Sequence, residues 1–559
     1  MLDSEISKML GFPVNVGRVL THLKQDMRDD WYFDALQFSD IFDDQAYCQE
    51  VLKKAVSKGH GVYSSESPTV RGIPKSGLTE RYALETDFFD RFVYQAAVSF
   101  LIPHIDPKLS NRVLSYRYEK YPLKKKYLFK NKIERWSTFE GITYTYRRAG
   151  KHLAVTDLSN FFDGISSDTV CKRMLEFVPT LACDGEQKAY LRAAINCLRT
   201  NLKTWSFRSG IGLPQNRDAS SFLSNVMLSE VDHAMESAGF DYFRYVDDIR
   251  IICNSESEAR TSISTLVREL RKFGFAVNAA KTKVLRPSDD DEVVAQVFTG
   301  IDTHIVAINN MWKSRSSRVV ARSARYLCGI VSSCVANNDT QSRAFRFAVN
   351  RLSQLVQAGL IEFDDELIEK LKGELIQSLY DHAVSTDQYC RILIFVDPQG
   401  STCPEIESYL LDSGRSIYDW QNYNLWLFLA RHKHSSILLE DRARSIVQGS
   451  TKSGEGAAVL IWAMAVECTT IISEALKSYL ASFDGFEHSK WPFLNQRYML
   501  IAANLLSKEE IEQLWNKPDL KLHRTTSRSM KVIPENGIPI IDPTPPSLSL
   551  IIEEANDYT

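Results

Sequence analysis

Tyr242-Phe243-Arg244-Tyr245-Val246-Asp247-Asp248-Ile249-Arg250-Ile251-Ile252-Cys253 decides how this chain is read. Two short runs rich in β-branched and aromatic residues flank an adjacent pair of aspartates. That pattern predicts a β-hairpin with both carboxylates at its turn. Neighbouring carboxylates at a hairpin tip repel each other unless a cation lies between them. A hard divalent ion such as Mg2+ suits them, because it prefers oxygen ligands. Aspartate is also an ordinary turn residue, so the pair acquires meaning only from its surroundings.

A length of 559 residues predicts two or more domains. The formal net charge of −3 means that any nucleic-acid contact must come from local basic patches. Ten cysteines are scattered without a CxxC pair or a His/Cys cluster. This argues against structural zinc and a disulfide framework, and for a reducing cytoplasm. No apolar run follows the N-terminal basic residues, and no uninterrupted apolar stretch approaches membrane-spanning length. Neither a signal peptide nor a membrane partner is expected.

Outward from the hairpin, the chain carries several punctuated motifs. Residues 1–70 read as mainly helical, with Trp31, Tyr32, Phe33, Phe38 and Phe42 as core aromatics. In Pro74-Lys75-Ser76-Gly77-Leu78-Thr79-Glu80-Arg81, a Lys and an Arg flank a turn-forming Ser-Gly. Two cations on adjacent strands suit a triphosphate, although surface cations are often simply solvated. A helix is predicted from Asp87 to Leu101. From Lys108 to Arg135 basic residues far outnumber acids, with Tyr116, Tyr118, Tyr121 and Tyr127 interleaved. Such a mixture can neutralise phosphates and stack on bases, or form a solvated charged face.

Leu153-Ala154-Val155-Thr156-Asp157 is an apolar strand that ends on an acid and breaks at Ser159-Asn160, ahead of Phe161-Phe162-Asp163. Asp157 is a candidate metal ligand, with a turn or helix cap as the plainer role. Ser166 or Ser167 would cap the next helix. Gly210-Ile211-Gly212-Leu213-Pro214-Gln215-Asn216 is a punctuated loop feeding a helix from about Asp218 to Glu236. After the hairpin come an amphipathic helix from about Glu256 to Lys272, then Asn278, Lys281-Thr282 and Phe298-Thr299-Gly300-Ile301.

Taken in order, residues 70–305 resemble the reverse transcriptases. The resemblance implies a right-hand polymerase of α+β class, with fingers and palm. Lys75 and Arg81 match the fingers hairpin that grips the incoming triphosphate. Asp157 matches the first catalytic aspartate, and Phe162 falls at the aromatic gate that excludes a 2′-hydroxyl. Leu213-Pro214-Gln215 matches the loop that supports nucleotide and template. Tyr245-Val246-Asp247-Asp248 matches the catalytic signature, Asn278 and Lys281-Thr282 the next motif, and Phe298–Ile301 the primer-grip hairpin. The implied chemistry is two-metal nucleotidyl transfer with Mg2+, or Mn2+ in its place, on Asp157, Asp247 and Asp248. Lys281 would be the proton donor to pyrophosphate. Most relatives place Gly after Pro-Gln, whereas this chain has Asn216.

The expected division is a helical extension over 1–70, fingers and palm over 71–305, an all-α C-terminal region over 306–532 and an extended tail over 533–559. Helical periodicity over 342–358, 364–380, 423–431, 457–468 and 497–506 suggests an irregular, repeat-like array. No acid triad for a nuclease stands out, nor does a basic thumb. A polymerase core followed directly by a long helical region resembles the bacterial abortive-infection and unknown-group defence reverse transcriptases. That resemblance implies antiphage defence in the bacterial cytoplasm, and oligomers or pairing with a second reverse transcriptase. The implied partners are dNTPs, a template or noncoding RNA and a DNA product. Untemplated or protein-templated synthesis on the same site is the alternative, with Tyr558 one candidate protein primer. A catalytically silent nucleic-acid-binding scaffold is the alternative of another class. An RNA-synthesising polymerase fits less well, because the aromatic gate opposes its substrates.

Overall fold

The structure is a computed structural model. It describes residues 2–510 apart from 28–29, 37, 39–41, 43–62, 64, 66, 76–78, 122–127, 299–302, 315, 362–364, 450–452, 485–487 and 490. The Ser76-Gly77-Leu78 turn, Tyr127, Thr299 to Ile301 and the tail with Tyr558 therefore lie outside the described residues.

Strands β1 (Thr69–Pro74) and β2 (Glu80–Glu85) form an antiparallel hairpin. Strands β3 (His152–Thr156), β4 (Asp241–Tyr245), β5 (Asp248–Cys253) and β6 (Lys283–Leu285) form an antiparallel sheet in the order β4-β5-β3-β6. Ahead of and around the sheet run α1 (Leu2–Leu10), α2 (Val16–Asp26), α3 (Phe88–Ile105), α4 (Lys132–Arg148) and α5 (Phe161–Gly164). They are followed by α6 (Ser167–Phe177), α7 (Gly185–Asn201), α8 (Asp218–Met227), α9 (Ser229–Ser237) and α10 (Glu256–Arg271).

The pleat sorts the sheet's side chains into two cores. Ala154, Tyr242, Ile249, Ile251 and Cys253 face the larger one, with α3, α8 and α10. Leu153, Phe243 and Ile252 face a smaller one with Phe139 of α4. With both faces covered, the strands read as near-continuous apolar runs, as in Ile249–Cys253. The helix expected from Asp218 to Glu236 is broken at Leu228. Ser224 and Ser229 hydroxyls bond back to the carbonyls of Ser221 and Val226 there, a competition that weakens a continuous helix. Ser166, rather than Ser167, caps α6, accepting from the Thr169 N–H at 3.2 Å.

Beyond the sheet the chain is largely helical: α11 (Asp291–Ala295), α12 (Thr303–Lys313), α13 (Ser317–Ala336), α14 (Arg343–Gln357), α15 (Asp365–Gln377) and α16 (Thr386–Val396). Then come α17 (Cys403–Leu411), α18 (Asp419–Arg431), α19 (Ile437–Gly449), α20 (Gly454–Ala465), α21 (Thr469–Ala481) and α22 (Phe493–Ala502). By length and composition α13 could cross a membrane, which the sequence reading did not anticipate. Its Val320, Leu327 and Val331 are buried in the helical core, and Arg318, Arg322 and Arg325 lie on the exposed side.

The helical core also holds Tyr32, Ala35 and Leu36 from the N-terminal segment, and Ile73 and Ala83 from the β1–β2 hairpin. Polar contacts fasten the same join. Asp34 pairs with Arg497 at 2.6 Å, both side chains 1% exposed, and accepts from the Tyr498 hydroxyl at 2.6 Å. The Tyr32 hydroxyl donates to Asp419 at 2.8 Å. A Cβ at Gly454 would collide with the Tyr32 ring, so α20 starts on the one residue that permits this approach.

Candidate active site

The pairing register builds the site. Tyr245 pairs with Asp248, leaving Val246 and Asp247 as a two-residue hairpin turn. Thr156 pairs with Ile249, which brings Asp157, one residue past β3, level with Asp248 on the same sheet end. Val246 has φ +57°, the left-handed first position that such a turn normally gives to glycine. A β-branched residue there must be held by its surroundings. The Val246 N–H donates to Ser115 Oγ at 2.9 Å, and its carbonyl accepts from Arg244 at 2.8 Å. Arg244 is itself anchored by a fully buried ion pair with Asp232 at 2.6 Å and a bond to Asn225 Oδ1 at 2.8 Å.

The acids crowd one another. Burial, then the charges of Asp248 and Asp157, push Asp247 up to about 8, and its carboxyl is hydrogen-bonded to Asp157. Burial and Asp157 also raise Asp248, against the pull of Arg250, Arg343 and Lys281. Such a group ionises readily only when positive charge enters it. One cation is already present: the Lys281 ammonium stands 2.6 Å from Asp157 Oδ2. Burial lowers Lys281, but Asp157, Asp248 and Asp247 more than offset this, and it stays protonated. Among the described residues no three His, Cys, Asp or Glu side chains are already gathered around a metal position. The crowded, all-carboxylate donor set with raised acids nevertheless suits a hard divalent ion.

The turn bearing Lys281 is stitched to the end of β3. The Asn278 N–H donates to the Asp157 carbonyl at 2.7 Å, the Ser159 N–H to the Ala276 carbonyl at 2.9 Å, and Thr156 and Thr282 share a hydroxyl bond at 2.7 Å. Phe161 is buried, whereas Phe162 beside it is half-buried. The Phe162 carbonyl accepts from the Leu213 N–H at 3.0 Å, which ties the aromatic pair to the Gly-Pro loop. In that loop Gln215 donates to Asp163, and Asn216 adopts φ +55°. Asparagine tolerates this left-handed conformation better than most side chains, so the loop keeps the bend a glycine would give. Arg217 is buried against Asp30 at 2.8 Å, and Asp30 also binds Arg91 of α3.

Lys75 and Arg81 stand at the other side of the cleft. Lys75 Nζ reaches Asn160 Oδ1 at 3.5 Å, and the Arg81 guanidinium lies 5.6 Å from the Trp31 ring centre. Both lower Asp163, which burial raises. Arg81 Nε is buried without a hydrogen-bond partner among the described residues. The structure therefore brings the three aspartates and Lys281 together, and places Phe162, Lys75 and Arg81 around them. Gln215 binds Asp163, and Asn216 follows it in the same loop.

The basic stretch from Lys108 to Arg135 is only partly available to a ligand. Arg117 is spent on Asp106 at 2.8 Å and on the carbonyls of Ser110 and Val113. Lys132 pairs with Asp218 at 2.8 Å, while Tyr121 stays 77% exposed with Lys120 over its ring. Sequence reading missed Ser115, Arg244 and Asp232, whose partners are scattered along the chain, and Arg343, which meets the site from the helical region.

Residues 100–328 match the family model described as "Reverse transcriptase (RNA-dependent DNA polymerase)". No curated protein sequence matches the chain. Among solved structures, it is similar to telomerase from Candida albicans in complex with a TWJ fragment of telomeric RNA. There the identity is 11% and the TM-score 0.31, over 62% of this chain and 65% of that one. The chain thus spans just under two thirds of that structure's length.

Proposed function

We propose that this chain, which carries the reverse transcriptase domain of an RNA-directed DNA polymerase, adds deoxynucleotides to a 3′ end by two-metal nucleotidyl transfer. The observation that carries the reading is the convergence of Asp157, Asp247 and Asp248, with Lys281 on Asp157, at one end of the sheet. Asp157, Asp247 and Asp248 would hold divalent ions, which supply charge stabilisation for the attacking and leaving oxygens. In the reaction the 3′-hydroxyl loses its proton to water and its oxygen bonds the α-phosphorus as the bond to pyrophosphate breaks. Lys281 is suited to protonate that leaving group once a cation takes its place on Asp157. Lys75 and Arg81 would hold the triphosphate, and Phe162 would reject a 2′-hydroxyl.

The region after the palm is largely helical rather than all-helical, since Phe483–Asp484 pairs with His488–Ser489, and it supports a bacterial antiphage role, with an RNA template and a cytoplasmic location as parts of the same proposal. Asn216 preserves the backbone bend of the template loop, which favours templated copying over untemplated or protein-primed synthesis. The test uses purified protein, Mg2+ and labelled dNTPs, singly and together, before and after nuclease removal of any co-purifying nucleic acid. Activity restored by adding back an RNA supports templated synthesis; DNA made after nuclease treatment without it supports the alternative. Asp247→Asn should abolish either product, and full biological activity of an Asp247→Asn/Asp248→Asn protein would return the scaffold reading.

A further inference from the structure

The helical region reaches the Asp247–Asp248 hairpin through Arg343. The link between α13 and α14 is pinned by Gln341, which donates to Ser385 Oγ at 2.7 Å, and by Ser385, which donates to Thr340 Oγ1 at 2.9 Å. Ser342 caps α14 by accepting from the Phe345 N–H at 3.1 Å. Arg343, the first residue of that helix, is thereby laid over Trp136 of α4, its guanidinium carbon 3.4 Å from the ring centre. Trp136 packs edge-on against Tyr245 at 4.8 Å, one residue before the Val246–Asp247 turn. Arg343 lies beyond the segment 100–328 that matches the family model.

The guanidinium is stacked but not saturated. Its carboxylate neighbour, Glu140, is 3.8 Å away, and Arg250 approaches the same carboxylate at 3.8 Å. That separation gives an ion pair without a hydrogen bond. Arg343 makes no hydrogen bond among the described residues, and its side chain is 40% exposed. Asp248 and the Tyr245 hydroxyl are within its electrostatic reach, and so is Arg346 one turn further along α14. Arg346 in turn bears on Arg81 across the cleft. Guanidinium groups gathered in this way repel one another unless an anion enters between them. A planar, ring-stacked guanidinium with open N–H edges is suited to a phosphate.

We propose that Arg343 is a positioning residue of the polymerase site, supplied by the helical region, whose guanidinium binds a phosphate of the substrate. The proposal rests on the polymerase reading. The phosphate belongs either to the primer strand or to the incoming nucleotide, and the two are separable by experiment. The full-length chain and its Arg343→Gln and Arg343→Lys variants are titrated in Ca2+ with dTTP and, separately, with labelled oligo(dT) on poly(rA), at several salt concentrations. Dissociation constants are read directly, so turnover is not needed.

Arg343→Gln is expected to weaken one of the two constants about tenfold or more, because a charge-assisted hydrogen bond to phosphate is removed. If the primer–template constant moves, its log–log salt slope should fall by roughly one, as when a single phosphate is no longer neutralised; if the dTTP constant moves, the phosphate is the nucleotide's. Arg343→Lys should recover part of the loss. Unchanged constants for Arg343→Gln at an unchanged melting temperature overturn the proposal. So does a loss that moves neither the salt slope nor the dTTP constant and only tracks a lowered melting temperature, since Arg343 would then merely fasten α14 to Trp136. Absence of DNA synthesis by the wild-type chain with Mg2+ and dNTPs would instead overturn the polymerase reading. Failure of wild type to bind either probe overturns both.

Discussion

Val246 holds the strain of the hairpin that carries Asp247 and Asp248. A β-branched residue at φ +57° costs about 1–2 kcal/mol, and Ser115 and Arg244 supply the bonds that keep it there. The aspartate pair was visible in the sequence because its chemistry is local. Ser115 was not, because it lies 131 residues away from Val246 and nothing in its own neighbourhood marks it. At Phe162, half-buried beside buried Phe161, substitution by Ala should relax sugar choice. Competing dNTP and NTP incorporation measures this, and equal use of both by wild type would remove the gate. His22 on α2 is a separate residue-scale test. Burial, then Arg18, lower it to about 4, and both ring nitrogens are buried without hydrogen-bond partners among the described residues. Its folded form stays neutral while the unfolded chain gains a proton near the ordinary value of 6.5. Between these values the unfolded state binds more protons, so stability falls as pH drops. The loss should be about 2 kcal/mol between pH 7 and pH 5. Urea midpoints should show it, and His22→Phe should remove it.

At the scale of elements, periodicity was a good guide where one chain segment decides its own structure. The helices expected near 342–358 and 364–380 appear as Arg343–Gln357 and Asp365–Gln377. It failed at Leu228, where serine hydroxyls bonding backwards divide one expected helix into two. It also overvalued the basic stretch, since Arg117 faces inward to Asp106, a pairing between residues 11 apart that composition does not reveal. The Pro214–Asn216 loop shows how a departure from a family pattern can be neutral in shape. Because Asn216 sits at φ +55°, Asn216→Gly should leave thermal stability nearly unchanged and synthesis intact. Asn216→Val should cost about 1–2 kcal/mol through the crowded left-handed backbone. Thermal melting of the two variants side by side checks the pair.

For the whole molecule, the decisive join is between the β1–β2 hairpin with its N-terminal segment and the helices that follow the palm. Ile73, Ala83 and Leu36 share one core with α18, α20 and α22, and Asp34 meets Arg497 with both side chains 1% exposed. None of this was legible, because partners more than 300 residues apart leave no local pattern. Asp34→Asn leaves the Arg497 charge buried and should destabilise the protein by about 3–5 kcal/mol. Equilibrium denaturation followed by tryptophan fluorescence would report it. On the proposed function, the same join bears on the kinetics of nucleotide addition. A triphosphate grip that had to swing inward would spend part of each binding event on ordering itself, and selection could occur during that closure. Here Ile73 and Ala83 of the two strands are already packed into the helical core. A nucleotide would meet a preset mould, so discrimination would reside in how fast wrong substrates leave rather than in a closing step that only the right one triggers.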